Sequence, residues 1–238
     1  MTQLYHEIIY RPLANALVIL YQTVAAGDLG IAIILLTVLV RVVLYPVFKK
    51  TIEHNMRMQE LQPNLKELKN QHKGNKEKEV AATLELFREH KTNPFTLMFF
   101  TFAQLPILIA LYQLFSGGLR GDITPLLYSG VPHLAEFNAT LFGLINLHEP
   151  NTMVVALVAA AQFVQAVLAT PKTADQKTRR AAYRNAALIA VVIGVFLAAY
   201  RVPSAVGLYL IASALFSVAQ QHAAHRTASH GKLARIFE

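Results

Sequence analysis

From Leu29 to Phe48 the chain runs for twenty residues with one charge, Arg41, and uncharged stretches of similar length follow at 95–115, 152–169, 185–200 and 203–221. Such runs constrain the fold more than any other feature. About 20 apolar residues cross the ~30 Å hydrocarbon layer of a bilayer, where no water is present to satisfy backbone N–H and C=O groups. Only helices and closed barrels meet that demand. These runs are continuously apolar and rich in Ala, Leu and Ile instead of alternating, which selects helices. Composition agrees: charged residues make up 15% of the 238, against about a quarter in soluble domains, and mean hydropathy is +0.38. The expectation is an all-α integral membrane protein with five transmembrane helices at 29–48, 94–115, 152–169, 185–200 and 203–221. The opening residues MTQLYHEIIYRP lack a basic segment, an apolar core and a small-residue cleavage site, so no secretory signal peptide is expected.

Residues 49–93 are polar but keep helical spacing. Met58, Leu61, Leu65 and Leu68 recur every three or four residues, as do Val80, Leu84 and Phe87, with the turn sequence HKGN between the two sets. This pattern reads as a helical hairpin, with Pro63 breaking or restarting its first arm. Lys and Arg then set the side. The hairpin carries ten against seven acids, the loop 170–184 carries five and the tail 222–238 carries three. If the spans alternate, only Arg11, Arg120 and Arg201 fall on the other side. The positive-inside rule therefore places the hairpin, the 170–184 loop and the C-terminus in the cytoplasm of a multi-pass cell-membrane protein.

Residues 1–28 put Leu13, Leu17 and Leu20 on one helical face, with Ile9 and Val24 nearby and Glu7, Arg11, Asn15 and Gln22 interrupting the rest. An external interfacial amphipathic helix fits; a short extra span gives the same loop topology. Residues 116–151 read as an external loop with a short amphipathic piece around LFGLINL.

Arg41 raises the functional question. A guanidinium keeps its charge at any reachable pH, and a charge at the centre of a span costs about 2.5–3.5 kcal/mol on insertion scales. Arg41 lies eight residues before Lys49, roughly 12 Å inside the cytoplasmic end at 1.5 Å per residue. Snorkelling toward the headgroups is the ordinary explanation, and that depth is near its limit. The alternative is a polar cavity within the membrane.

Other spans bear on the choice. Thr37 shares the arginine's face; Thr101 and Gln104, Gln162 and Gln165, and Tyr209, Ser213 and Ser217 form stripes at helical spacing. Each set alone fits interhelical hydrogen bonding worth about 0.6 kcal/mol per contact. Together, in spans that contain no Asp or Glu, they outline a hydrated groove whose fixed cation is arranged to receive negative charge from a substrate. The candidate site is Arg41, Thr37, Gln104, Gln165, Tyr209, Thr101, Gln162 and Ser213.

Several function classes recede. With no cysteine, disulfides and thiol chemistry are excluded, and the spans hold no Asp, Glu or interior His to act as acid, base or metal ligand. No enzyme activity is expected. There is no Walker loop, and His222, His225 and His230 read as part of a solvated basic tail, so neither a cofactor nor a metal is expected. The pI near 9.7 fits anionic lipid and basic inner loops without implying DNA. The rival class is a small anion-binding transporter or channel, which predicts internal repeats or broken helices at midplane; Pro106 is the only break in evidence.

The sequence resembles the YidC/Oxa/Alb family of membrane protein insertases over nearly its whole length. LYHEIIYRPLANALVILY resembles the family's external helix, and DLGIAIILLTVLVRVVLYP its first core span with the functional arginine. MQELQPNLKELKNQHKGN resembles the start of its cytoplasmic hairpin, HKTNPFTLMFFTFAQLPILIALYQLF its second span, and VPSAVGLYLIASALFSVAQQ its last. LFGLINLHEPN is similar to the stretch leading into the third span.

The resemblance implies a short bacterial form without the large external domain. It implies a five-span core enclosing a hydrophilic groove open to cytoplasm and lipid. Nascent membrane proteins would be the substrates, Arg41 would attract their acidic segments, and Thr37, Gln104, Gln165 and Tyr209 would keep the groove wet. Ribosome and Sec translocon are the implied partners. Leu210 and Ala214 depart from the family pattern, which has tryptophan and asparagine there, and this weakens any carry-over of last-span contacts.

Overall fold

The computed structural model describes residues 2–90, 92, 95–117, 123–132, 137–170 and 176–234. Helices α1 (Thr2–Tyr5) and α2 (Arg11–Thr23) are joined by a π-helical turn at His6–Tyr10, and α3 covers Leu29–Val43. Helices α4 (Tyr45–Glu60), α5 (Gln62–Gln71) and α6 (Lys76–Glu89) follow, then α7 (Phe95–Ser116). A short hairpin of β1 (Thr140–Leu141) and β2 (Ile145–Asn146) precedes α8 (Thr152–Leu168), α9 (Gln176–Ala199) and α10 (Ser204–Ala234). The chain divides into two compact units, 1–43 with 106–238, and 44–105.

Among the described residues the protein is an all-α membrane protein apart from that hairpin. Segments 179–199 and 204–223 are each long and apolar enough to cross a bilayer, and α3 with the start of α4 makes a third if taken as one interrupted span. Residues 104–116 and α8 are apolar but shorter. Leu188, Ile189, Val191, Val192, Val195 and Phe196 of α9 are all exposed. A patch of that size on a soluble protein would promote association; here it suits lipid.

The expected span 29–48 is not one helix. α3 stops at Val43, Leu44 forms a turn and α4 restarts at Tyr45. Pro46 is the cause: it cannot donate to the carbonyl four residues back and its ring crowds that carbonyl, while in the first turn of a new helix it costs nothing.

In the unit 44–105, α5 packs against α6. Pro63 stands in the first turn of α5, so it restarts the arm after Leu61. In the turn, Gly74 takes φ +96, and Asn75 caps α6 by accepting from the Lys78 amide at 3.1 Å. The buried stripe differs from the expected one. Leu61, Leu86 and Phe87 are buried, whereas Val80 and Leu84 are 58% and 55% exposed. The face of α6 turned inward runs through the half-buried Glu79, Ala82 and Thr83 to Leu86 and Phe87, so that of Val80, Leu84 and Phe87 only Phe87 lies on it.

In the unit 1–43 with 106–238, α2 packs on α3, α3 on α10, α10 on α8, and α8 on α9. Leu17, Leu29, Ile33, Leu36, Leu111 and Phe115 are fully buried. Small residues allow the closest approach: a Cβ on Gly207 would stand 2.6 Å from Val154 Cγ1 and 3.4 Å from Val158 Cγ2. Between membrane helices, where lipid tails are as apolar as leucine, this close packing supplies the association energy.

The N-terminal helix is buried more deeply than an interfacial helix requires. Tyr10, Ala14, Asn15, Leu17, Val18, Tyr21 and Ala25 are buried, while Val24, placed on the apolar face by the sequence, is exposed. Asn15, which looked like an interruption, is the fixing point. Its Nδ2 donates to the Leu126 carbonyl at 2.8 Å and its Oδ1 accepts from the Tyr128 amide at 2.7 Å. Arg11 adds a bond to the same carbonyl and stacks over the Tyr128 ring at 5.0 Å.

The short amphipathic piece around LFGLINL is the β-hairpin, in the register Thr140↔Asn146 and Leu141↔Ile145. Phe142 and Gly143 take positive φ in its three-residue loop. Asp28 ties it to α3: one carboxylate oxygen accepts from Ile31 N at 2.9 Å and the other from Phe142 N. Leu141 leaves no room for a side chain at Gly30, where a Cβ would meet it at 2.4 Å. Tyr21 Oη accepts from Asn138 N, Asn151 caps α8, and Ser204 donates twice to the Glu149 carbonyl. Loop backbone that would otherwise be buried without partners is thus satisfied at this end of the bundle.

Candidate functional site

Arg41 occupies the last turn of α3, at the end opposite Asp28. It is 6% exposed, and the facing positions of α10 are as deeply buried, with Tyr209 at 3% and Ser213 at 4%. The Arg41 Nη2 donates to Ser213 Oγ, and Tyr209 is buried one turn before Ser213 on α10. Ser217, one turn beyond Ser213, is also buried.

The chemistry of this cluster follows from its donors. A hydroxyl accepts a guanidinium hydrogen bond but leaves the positive charge in place. A carboxylate could take the same fork with two bonds. Attraction between unit charges 4 Å apart is about 1 kcal/mol in bulk water and about 4 kcal/mol at the effective permittivity of a protein surface site. A carboxylate is therefore the side chain that a guanidinium fork of this kind attracts most strongly.

The other sequence-derived residues distribute unevenly. Thr37 is buried one turn before Arg41, and its hydroxyl donates to the Ile33 carbonyl of its own helix at 2.7 Å. Gln162 and Gln165 are half-buried on α8, which packs against α10. Gln104 is half-buried in the other compact unit. The Thr101 side chain lies outside the described residues, as do those of His225 and His230. The structure thus joins Arg41, Tyr209 and Ser213. The stripe on the last span had included Ser217, which is buried one turn beyond Ser213. Asn15 was missed as a fixing residue; its signal was a lone amide carrying two donors and an acceptor beside the buried Ala14 and Leu17.

These features define a helical membrane protein with a cationic cluster buried between two of its apolar helices. A family model described as 60Kd inner membrane protein matches residues 19–231. The membrane protein insertase YidC of Fusobacterium nucleatum is 32% identical over 219 residues, which is 90% of this chain and 95% of that protein. The chloroplastic inner membrane protein ALBINO3 of Arabidopsis thaliana is 27% identical over 211 residues, 81% of this chain and 45% of that protein. The membrane protein insertase YidC of Caulobacter vibrioides is 34% identical over 139 residues, 57% of this chain and 22% of that protein. The chain belongs to the YidC/Oxa/Alb family.

Proposed function

We propose that this protein is a membrane protein insertase. It receives hydrophilic tails and short loops of nascent membrane proteins in a groove open to the cytoplasm and to lipid, while their apolar segments pass into the bilayer. The observation that carries this reading is Arg41, buried in an apolar bundle and held by the neutral hydroxyl of Ser213. Family membership and the names of the relatives point the same way.

In this reading α3 with the start of α4, α7, α8, α9 and α10 are the five crossings. The hairpin, the 170–184 loop and the C-terminus face the cytoplasm, a placement supported by the Lys and Arg distribution. Arg41 attracts acidic segments of the substrate, and Ser213, Tyr209, Gln162, Gln165, Gln104, Thr101 and Thr37 keep the path polar. Moving a charged tail across ~30 Å of hydrocarbon is prohibitive, and a wet groove shortens the dry part. Helix length supports this: α8 has 17 residues, about 25 Å at 1.5 Å per residue, short of the full layer. The driving force comes from partitioning of the apolar segment and from the membrane potential, about 2.3 kcal/mol per charge per 100 mV. The ribosome and the Sec translocon are the proposed partners of the basic cytoplasmic segments, with anionic lipids around them.

The test is rescue of a strain depleted of its own insertase, followed by insertion of single-span substrates into proteoliposomes of the purified chain. Rescue together with insertion above protein-free liposomes supports the reading. Failure of both, with uptake of an anionic solute instead, would establish a transporter.

A further inference from the structure

The tip of the β-hairpin is built from residues that a turn in water avoids. Leu144 N donates to the Leu141 carbonyl at 3.0 Å and closes a turn over Phe142 and Gly143, both at positive φ. That conformation ordinarily selects Asn, Asp or Gly, because other side chains are strained in it. Here the first central position holds a phenylalanine at φ +51 that is 68% exposed, and Leu144 is 86% exposed. From Phe137 to Leu147 the chain carries no ionisable residue.

What covers the tip follows from where the hairpin is fixed. Asp28 accepts from Ile31 N in the first turn of α3 and from Phe142 N at the tip. Leu141 fills the space over Gly30 in that same turn. Beyond the hairpin, the Leu147 and Glu149 carbonyls accept from Ala205 N and Ser204 N, at 3.0 and 3.1 Å, where α10 starts. Asn151 caps the start of α8. The hairpin is thus bound at the level where three apolar helices, α3, α8 and α10, begin. In the five-span arrangement proposed above, that level is the outer membrane–water boundary. Met153 in the first turn of α8 adds another exposed apolar side chain there.

The size of the tip selects among occupants. A second protein chain needs about 800 Å² per partner for a stable interface, and one Phe with one Leu offers roughly half of that at most. A lipid surface sets no such minimum, and interfacial elements seat Phe and Leu about 5–10 Å into the boundary between headgroups and acyl chains. The amides of both tip residues are already satisfied, Phe142 N by Asp28 and Leu144 N by Leu141. Entry into that layer therefore strips water from neither amide.

We propose that Phe142 and Leu144 seat in the boundary between headgroups and acyl chains of the leaflet at the Asp28 end of α3, which makes the hairpin a membrane anchor. Through Asp28 and Gly30 the anchor fixes the depth of α3. It lies at the opposite end of that helix from Arg41 and does not depend on insertase activity.

The chain contains no tryptophan, so Leu144→Trp places a single indole at the tip. Ser129→Trp, in an exposed turn of the same external segment, is the control and carries the same intrinsic preference of indole for interfaces. Each full-length variant is reconstituted in liposomes of phosphatidylethanolamine and phosphatidylglycerol. Part of the phospholipid in both leaflets is brominated, either near the headgroup end of the acyl chain or near its methyl end. Leu144→Trp should emit at shorter wavelength than Ser129→Trp, lose emission most to bromine near the headgroup end, and resist aqueous iodide. Phe142→Trp should behave like Leu144→Trp, whereas Ser129→Trp should be quenched by iodide and not by bromine. Iodide quenching of the tip equal to the control overturns the proposal. Shielding from both iodide and bromine overturns it by showing that protein covers the tip. Stronger quenching by bromine near the methyl end also overturns it, because the tip then lies deeper than the boundary. Circular dichroism confirms that each variant compared is folded. Bromine in both leaflets makes the readout independent of orientation, so failure of the rescue assay bears on the insertase reading alone.

Discussion

At the scale of the residue, Arg41 and Asn15 illustrate two uses of polarity among apolar neighbours. Arg41 is a permanent charge whose hydrogen bond to Ser213 does not neutralise it. Arg41→Ala and Arg41→Glu are expected to reduce insertion of substrates with acidic tails more than of substrates with neutral tails. Arg41→Lys should retain much of the activity if charge matters more than fork geometry. Side-by-side insertion assays with the two tails decide this; equal insertion by wild type and Arg41→Ala for both would remove the charge-attraction mechanism. Asn15 is structural, since it satisfies a carbonyl and an amide of the 126–128 loop. Asn15→Ala leaves the Tyr128 amide without its partner and the Leu126 carbonyl with the Arg11 bond alone, and should cost about 1–3 kcal/mol, read as a lower unfolding midpoint in detergent.

At the scale of the element, boundaries are local and faces are not. The end of α3 at Val43, the restart at Pro63 and the cap at Asn75 follow from proline and asparagine chemistry within a few residues. Asn75→Ala should cost α6 about 1 kcal/mol, visible as earlier loss of helix on heating. The contact of α10 with α8 depends on Gly207. Gly207→Leu drives a side chain into Val154 and Val158 and should destabilise by about 1–3 kcal/mol. Pairing Gly207→Ala with Val154→Ala should recover stability relative to Gly207→Ala alone, because the clashing methyl is removed. No recovery in that double mutant would mean that the helices part instead of repacking.

At the scale of the whole molecule, charge distribution and helix count determine how the chain lies in its membrane. The protein has no cysteine, so single cysteines introduce a unique label. Cysteines replacing Lys73 and Lys177 should react with an impermeant maleimide only from the cytoplasmic side, and one replacing Gly130 only from outside. Reaction of all three from one side would overturn the five-span topology. Apolar run length and the helical periodicity around HKGN were legible in the sequence because both are one-dimensional, whereas the asymmetry of Lys and Arg gives an orientation that this labelling tests. The β-hairpin at 140–146 was not legible, since its strands are two residues each and are held by Asp28, more than a hundred residues away along the chain.

The sequence by itself determined a helical membrane protein, the positions of its apolar runs, the polar hairpin and the presence of one arginine among uncharged residues. Each of these depends on neighbours within about one or two helical turns. Only the tertiary structure decided which polar residues meet. It paired Arg41 with Ser213 across 172 positions, turned the Thr37 hydroxyl back on its own helix, and buried Asn15 against a loop. It also left Phe142 and Leu144 exposed at the tip of the β-hairpin. Periodicity assigns a face to a helix, but the partner of that face is set by close packing between elements far apart in the chain, and no local pattern encodes it.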